Sequence, residues 1–137
     1  QGAFLMVYML DTNIVSYLLE GNEEVRNRLF AIVGANEIVL PEMVYYEIER
    51  GLFAHNAKNK LSRFEAFCEL FPICFMTRES LLCAARIYAD LKKRGQLIED
   101  ADIFIGASAL ASGAVLVTNN EEHLGRIDGL CIENWAI

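Results

Sequence analysis

The chain has 137 residues, enough for one domain but too few for a second hydrophobic core. Hydrophobic residues make up 54% and charged residues 23%, which excludes a disordered or low-complexity chain. The net charge of −7 argues against bulk electrostatic binding of nucleic acid, unless bases gather on one face or the acids surround a cation.

The amino-terminal segment and the cysteines indicate where the protein works. No apolar stretch approaches the roughly 20 residues that span a bilayer. Residues 1–8 are apolar but short and lack a basic flank, so they are interpreted as the start of a strand rather than a signal peptide. Met6 makes a natural start, and residues 1–5 are interpreted as a cloning remnant. No cysteine pair or histidine lies at a zinc-ligand spacing. We therefore expect reduced, mostly buried thiols and a cytoplasmic location, the cysteines being Cys68, Cys74, Cys83 and Cys131.

The first third of the chain alternates apolar runs with helical patterns. Residues 4–10 (FLMVYML) are continuously apolar, as in a strand that is buried on both faces. Apolar residues at positions 14, 15, 18 and 19 predict a helix, which Gly21 and Asn22 end. A second helix is predicted over residues 23–33, and a short strand over residues 37–40. Pro41 then opens a third helix that reaches Gly51 or beyond.

The remaining elements continue this alternation. An amphipathic helix is predicted over residues 61–71, a strand over 73–76, a long helix over 78–94 and a very apolar helix over 101–112. Two more strands are predicted at residues 114–117 and 130–133. Strands separated by helices pair in parallel through right-handed crossovers. The sequence therefore predicts a single α/β domain over residues 1–137, a three-layer α/β/α sandwich with a mainly parallel sheet of four to five strands.

Asp11 comes directly after the first predicted strand, in the segment MLDTN. In an open parallel sheet, ligands bind beyond the carboxyl ends of the strands. An aspartate at this point can also simply cap the helix that follows. Because Thr12 and Asn13 are equally able to cap, the cap alone does not require Asp11, and a functional role is favoured.

Glu47 lies on the border of the apolar stripe of the third predicted helix, beside Val44 and Ile48. An enclosed carboxylate must be paired or must coordinate a metal. Arg50, three residues further on, offers an ordinary salt-bridge partner. Both interpretations of Glu47 remain open on the residues alone.

Two aspartates begin the very apolar helix that starts near residue 101. Asp100 suits a helix N-cap, and an acid here also suits the helix dipole. Asp102 shares a face with Ile105, Gly106 and Ala109, where small residues allow close packing. A carboxylate in line with a buried face favours a functional role for Asp102.

Polar residues also follow the fourth strand, as Asp11 follows the first. Thr118, Asn119 and Asn120 can bind metal-bound water or phosphate, or only shape the turn. Several strand and helix ends thus deliver oxygen atoms, and such hard sites suit Mg²⁺ or Mn²⁺.

Four motifs stand in the order that they take in PIN domains: MLDTN, YYEIERG, DIFIGASAL and VTNNEEHL. Each motif alone is weak, but the four together are specific. Over residues 6–135 the chain resembles PIN domains and, within them, the VapC-type toxins of bacterial and archaeal toxin–antitoxin pairs. The resemblance implies that Asp11, Glu47 and Asp102 are catalytic and bind one or two Mg²⁺ or Mn²⁺ ions.

The resemblance also implies polar helpers at Thr12, Asn13 and Thr118. Many PIN domains carry a further acid where this chain has Asn120. Asn120, Asp100 or water could supply the fourth contribution to the metal site, and the sequence leaves this choice open.

The resemblance further implies an RNA substrate, an antitoxin partner and a homodimer. We expect an endoribonuclease in which the ions activate water and offset the phosphate charge. We expect no histidine among the catalytic residues, so imidazole catalysis with a 2′,3′-cyclic product is not favoured. Substrate phosphates would meet basic side chains, for which the candidates are Arg50, Lys58, Lys60, Arg63, Lys92, Lys93 and Arg94.

Two other functions compete with the nuclease. A haloacid-dehalogenase-like phosphatase also begins with an aspartate after a strand, but it needs a second acid where this chain has Asn13. A non-catalytic PIN fold could serve as an RNA- or protein-binding module. Loss of acids would mark such a module, whereas the three central acids are present.

Overall fold

A computed structural model describes residues 6–137 and contains one all-parallel sheet. Its strands are β1 (Val7–Leu10), β2 (Glu37–Pro41), β3 (Ile73–Cys74), β4 (Val115–Val117) and β5 (Cys131–Glu133). They lie in the order β3-β2-β1-β4-β5. The predicted parallel sheet is confirmed. The interpretations of residues 1–5, as part of the first strand and as a cloning remnant, fall outside the described residues.

Two groups of helices cover the sheet. The first consists of α1 (Thr12–Leu19), α2 (Glu23–Ile32), α3 (Glu42–Ala54) and α4 (Lys58–Leu70), and the second of α5 (Arg78–Lys93), α6 (Asp100–Ser112) and α7 (Glu121–Leu124). Helices within each group pack on one another. The chain crosses the sheet in one direction through the first group and in the other through the second. Because crossovers are right-handed, the groups lie on opposite faces. The three-layer sandwich is thus confirmed.

The centre of the sheet is buried because both faces are covered. Tyr8, Met9 and Leu10 of β1 are buried, as are all three residues of β4. Helix α6 is buried on most sides, as its apolar composition predicts, and Gly113 ends it with φ +65°. These buried elements form a rigid base for the side chains that follow β1 and β4.

The predicted third strand over residues 73–76 is wrong in length, since β3 contains only two residues. It pairs with Leu40 and Pro41 at the end of β2. Helix α3 begins at Glu42, immediately after Pro41, and the ladder therefore has no further backbone to pair with. The other predicted elements differ from the structure only at their ends.

Within residues 6–137, no helix combines the length and apolar character that a membrane span requires. The four cysteines are free, as expected. Their predicted burial is wrong, because Cys131 is exposed and the other three are only partly buried against the core.

Candidate active site

The chain connects β1 to a neighbour on one side of the sheet and later returns to pair a strand on the other side of β1. Two polar side chains meet at this point. The chain continues from β1 to β2 on one side, whereas β4 lies on the other. Asp11 follows β1 and donates its backbone N–H to the carbonyl of Val117 at 2.9 Å. Thr118 follows β4, and its Oγ1 donates to Oδ2 of Asp11 at 2.7 Å. This is the switch point at which open α/β sheets bind ligands.

Asp11 is almost completely buried, with 3% of its surface exposed. Its carboxylate accepts hydrogen bonds from the backbone of Thr12 at 2.7 Å and from Nδ2 of Asn13 at 3.3 Å, besides that from Thr118. Burial raises the pKa of Asp11, and the charge of Glu47 adds to that rise, while the three donors oppose it. Neutral donors thus hold a buried carboxylate in one orientation.

Asp11 also caps helix α1, because its side chain accepts from the first N–H of that helix. Thr12 and Asn13, which the sequence offered as alternative caps, lie inside α1 instead. The structural and functional interpretations of Asp11 are therefore compatible, since one oxygen accepts the cap bond and the other faces Thr118.

Glu47 projects from α3 towards the first turn of α1. Thr12 donates its Oγ1 hydrogen to Oε1 of Glu47 at 2.6 Å. Arg50 approaches Oε2 only to 3.9 Å, with 60% of its side chain exposed, and its guanidinium lies over the ring of Tyr46. Exposed ion pairs of this kind contribute little. The short bond to Thr12 therefore orients Glu47 more firmly than the rival pair with Arg50.

Asp102 lies in the first turn of α6, and 18% of its side chain is exposed. Burial raises its pKa first, followed by the negative charge of Asp11 and, less strongly, that of Glu47, while His123 opposes the rise. The structure therefore brings the three predicted carboxylates close enough to repel one another.

Asp100 is exposed at the start of α6. Its predicted role as N-cap is wrong, since Glu99 occupies that position. The two acids lie two residues apart on a helix and thus point in different directions. Asp102 is the one that faces the carboxylate cluster.

The loop after β4 completes the polar edge. The backbone N–H of Asn120 donates to Oγ1 of Thr118 at 2.9 Å, and that of Asn119 donates to Oδ1 of Asn13 at 2.9 Å. Thr118 and Asn13 in turn donate to Asp11. Asn119 and Asn120 therefore fix the helpers of Asp11 through their backbone rather than contacting its carboxylate.

His123 is the neighbour that the sequence interpretation missed. Its Nδ1 lies 3.6 Å from Oδ2 of Asp102 and 3.3 Å from Nδ2 of Asn120. The signal was present, because His123 belongs to the motif VTNNEEHL and stands three residues after Asn120. Asn120 immediately precedes α7, and His123 lies on that helix.

The donor set fits a hard divalent ion. Within residues 6–137, no three acidic, histidine or cysteine side chains are already spaced to enclose a metal. Yet three carboxylates converge on one edge of the sheet, and neutral groups provide the close hydrogen bonds to Asp11 and Glu47. Oxygen ligands of this type suit Mg²⁺ and Mn²⁺, and a divalent cation would relieve their repulsion.

A groove of about 410 Å³ leads away from the cluster between α1, α3 and α4. Thr12 and Glu47 line its inner end, and Lys60 and His55 also contribute to its lining. Leu19, Ile48 and Leu52 give it an apolar wall. The groove can therefore receive an extended chain beside Glu47.

Residues 8–130 match the PIN domain family, so the chain belongs to that family. Within it, the chain is similar to ribonuclease VapC2 of Rickettsia felis, with 30% identity over 132 residues, or 95% of this chain and 98% of the relative. The tRNA(fMet)-specific endonuclease VapC of Salmonella typhimurium is 27% identical over 136 residues, or 96% of this chain and 100% of the relative.

Solved structures agree with this assignment. VapBC2 from Rickettsia felis, bound to a DNA fragment from its promoter, superposes with a TM-score of 0.90 and 28% identity, covering 95% of this chain and 99% of that chain. VapBC-1 from nontypeable Haemophilus influenzae gives a TM-score of 0.87 and 28% identity, covering 96% of this chain and all of that chain.

Proposed function

We propose that this protein is a Mg²⁺- or Mn²⁺-dependent endoribonuclease whose catalytic and metal-binding carboxylates are Asp11, Glu47 and Asp102. The observation that carries the proposal is the hydrogen bond from Thr118 to the buried carboxylate of Asp11. It fixes a negative charge at the switch point of the sheet, within reach of two further acids. VapC ribonucleases are similar to the chain over almost its whole length.

Each polar residue of the edge has a distinct task in this proposal. Asp11, Glu47 and Asp102 hold the cation, which supplies Lewis acidity and offsets the charge of the scissile phosphate. Thr118 and Asn13 orient Asp11, while Thr12 orients Glu47. Asn120 supports Thr118 through its backbone.

RNA enters along the groove between α1, α3 and α4. Lys60 lines the groove, and Lys58 and Arg63 lie on the same helix. Basic side chains there provide contacts to phosphates, which position a strand without reading its sequence. The apolar wall gives the sugars and bases a surface to pack against.

The decisive experiment replaces Asp11 by Asn, which keeps the side-chain shape and an oxygen that can accept the cap bond. We expect Mg²⁺- or Mn²⁺-stimulated cleavage of single-stranded RNA to fall by at least about 100-fold, because oxyanion and ion-binding groups contribute on that scale. Circular dichroism and the melting transition report whether the fold is retained.

The matched control is Asp100→Asn, because this acid is exposed at the start of the same helix as Asp102. Its cleavage should stay within about twofold of wild type. Wild-type cleavage by a folded Asp11→Asn variant would overturn the proposal. Lack of calorimetric Mn²⁺ binding by the wild type would instead favour a non-catalytic binding module.

The protein acts as the toxin of a toxin–antitoxin pair in the cytoplasm, and it forms a homodimer. Relatives of this length occur in VapBC complexes, and the four cysteines are free. Half-exposed apolar side chains on α5, among them Leu81 and Leu82, are consistent with a further covered surface. Light scattering tests the dimer, and co-purification with the product of a short neighbouring gene tests the antitoxin.

A further inference from the structure

His123 lies at the side of the carboxylate cluster where the chain departs from PIN domains. The resemblance to PIN domains implies a further acid where this chain has Asn120, and the imidazole of His123 stands beside that amide. Its Nδ1 also lies 3.6 Å from Oδ2 of Asp102. An unassigned nitrogen donor thus occupies the neighbourhood of the missing oxygen donor.

The geometry favours a shared cation over a direct hydrogen bond. A separation of 3.6 Å is longer than N–H···O bonds, which reach about 3.2 Å. Two neighbouring ligands of one small divalent ion, each bound at about 2.1 Å, lie roughly 3 Å apart. A small rotation of either side chain would therefore bring Asp102 and His123 onto one ion.

The tautomer supports the same assignment. The side-chain amide nitrogen of Asn120 faces Nδ1 of His123 at 3.3 Å, and because an amide nitrogen only donates, this contact is a hydrogen bond in the tautomer whose Nδ1 carries the lone pair. Nδ1 is also the ring atom next to Oδ2 of Asp102, so an ion bound there would take this lone pair in place of the Asn120 amide. In that tautomer a carboxylate oxygen and an imidazole nitrogen lie 3.6 Å apart with no proton between them, which is an arrangement that a cation stabilises.

The helix that carries His123 is firmly anchored. Leu124, the next residue, is fully buried, and Ile127 is buried close behind it. Both pack against Gly106 of α6, the helix that also carries Asp102. The backbone of His123 is therefore held in a constant position relative to Asp102, although 41% of the histidine side chain is exposed.

We infer that His123 is a direct nitrogen ligand of the divalent ion beside Asp102, and that it shifts the preference of the site from Mg²⁺ towards Mn²⁺. The inference rests on the proposed function, since it requires the carboxylate site to bind metal. Mg²⁺ takes oxygen ligands, whereas imidazole favours transition metals.

The test compares calorimetric affinities for Mn²⁺ and Mg²⁺ in the wild type and in His123→Asn. We expect the variant to lose about tenfold in Mn²⁺ affinity while Mg²⁺ affinity stays within about twofold. Pulsed electron paramagnetic resonance of the Mn²⁺-loaded wild type should show a ¹⁴N coupling that the variant lacks. His55→Asn, at the far side of the groove, is the matched control and should keep both properties.

Other outcomes overturn the assignment. Equal losses for both ions would make His123 a positioning residue for Asp102. Higher affinity for both ions in the variant would mean that a protonated His123 repels the cation. A wild type that binds neither ion would overturn the proposed function itself, whereas binding without a ¹⁴N coupling overturns only the role of His123.

Discussion

The Asp11 carboxylate is oriented by hydrogen bonds from both ends of the domain. Thr12 and Asn13 come from the helix after β1, while Thr118 comes from the end of β4. Because these donors are neutral, they fix the direction of the carboxylate without cancelling its charge. Burying this charge costs free energy, but the carboxylate is thereby held in a fixed direction in which it can bind a cation.

Removing the Thr118 hydroxyl should weaken metal binding without removing a metal ligand. Thr118 is completely buried, and Thr118→Val keeps its shape. We expect calorimetric Mn²⁺ affinity to fall by about 10–100-fold, as for other residues that orient metal ligands. Thr118→Ser retains the hydroxyl and should stay near wild type. Equal binding by the valine and serine variants would contradict this role.

A second pair of carboxyl groups, away from the proposed site, should make stability depend on pH. Burial and the adjacent Glu65 on α4 raise the pKa of Glu49 on α3 to about 7. Tyr45 donates to Glu65 at 3.1 Å, and Oε2 of Glu49 is buried without a donor among the described residues. A proton on Glu49 would let it donate a hydrogen bond to Glu65 and would remove the repulsion between the two carboxylates.

The sign of this effect follows from linkage. Between the ordinary glutamate pKa near 4.5 and about 7, the folded chain holds a proton that the unfolded chain has released. Stability therefore falls as pH rises through this window and is level above it. Glu49→Gln should raise stability at pH 8 by on the order of 1 kcal/mol, measured by denaturant unfolding. Glu69→Gln, on an exposed face of α4, serves as control, and an equal gain there would refute the explanation.

At the scale of elements, helix α6 depends on a glycine for its approach to the segment after β4. A Cβ on Gly106 would collide with Ile127 and touch Leu124 at 3.4 Å. Both neighbours are buried and cannot move aside freely. The close approach of α6 to this segment positions Asp102 next to His123.

A pair of glycine substitutions tests this packing. Gly51→Ala in α3 meets open space and should stabilise the protein by up to about 1 kcal/mol through helix propensity. Gly106→Ala gains the same propensity but must overpack the core, which typically costs about 1–3 kcal/mol. We expect net destabilisation at Gly106 in thermal unfolding. Equal stabilisation by both substitutions would show that the space beside Gly106 can accept a methyl group.

The sequence predicted those site residues whose environment is local. Asp11 stands out because it directly follows an apolar strand, and Asp102 because it lies in the first turn of a helix that is apolar on most sides. The hydrogen bond between Thr12 and Glu47 depends on how α3 is rotated about its axis relative to α1. Tertiary packing sets this rotation, and the spacing of apolar residues in the sequence does not predict it. The contact of His123 with Asp102 likewise depends on the depth at which α6 packs.

At the scale of the whole molecule, most of the candidate basic residues do not line the groove. Arg94 donates to Asp90 at 2.7 Å and to the carbonyl of Arg126. Arg50 lies over Tyr46, and Lys92 lies over Tyr88. Lys60 lines the groove and Arg63 lies three residues further along α4, so these two bases remain the best placed for phosphates.

Few phosphate contacts imply a weak dependence of RNA binding on salt. With two contacts, from Lys60 and Arg63, log K should fall with log salt at a slope of about −1.4 for single strands. Fluorescence anisotropy with the inactive Asp11→Asn variant measures this slope. Lys60→Gln should reduce it by about 0.7. A slope steeper than about −5 would mean that the acidic chain carries a larger basic surface.

The hydrogen bond between Thr118 and Asp11 joins residues 107 positions apart, and this distance has a consequence for biosynthesis. Ribosomes add about 5–20 residues per second and release the amino-terminal part first. A growing chain that ends before β4 carries Asp11, Glu47 and Asp102 but lacks the Thr118 hydroxyl that orients Asp11. The carboxylate arrangement is therefore completed only after nearly all of the chain has been made.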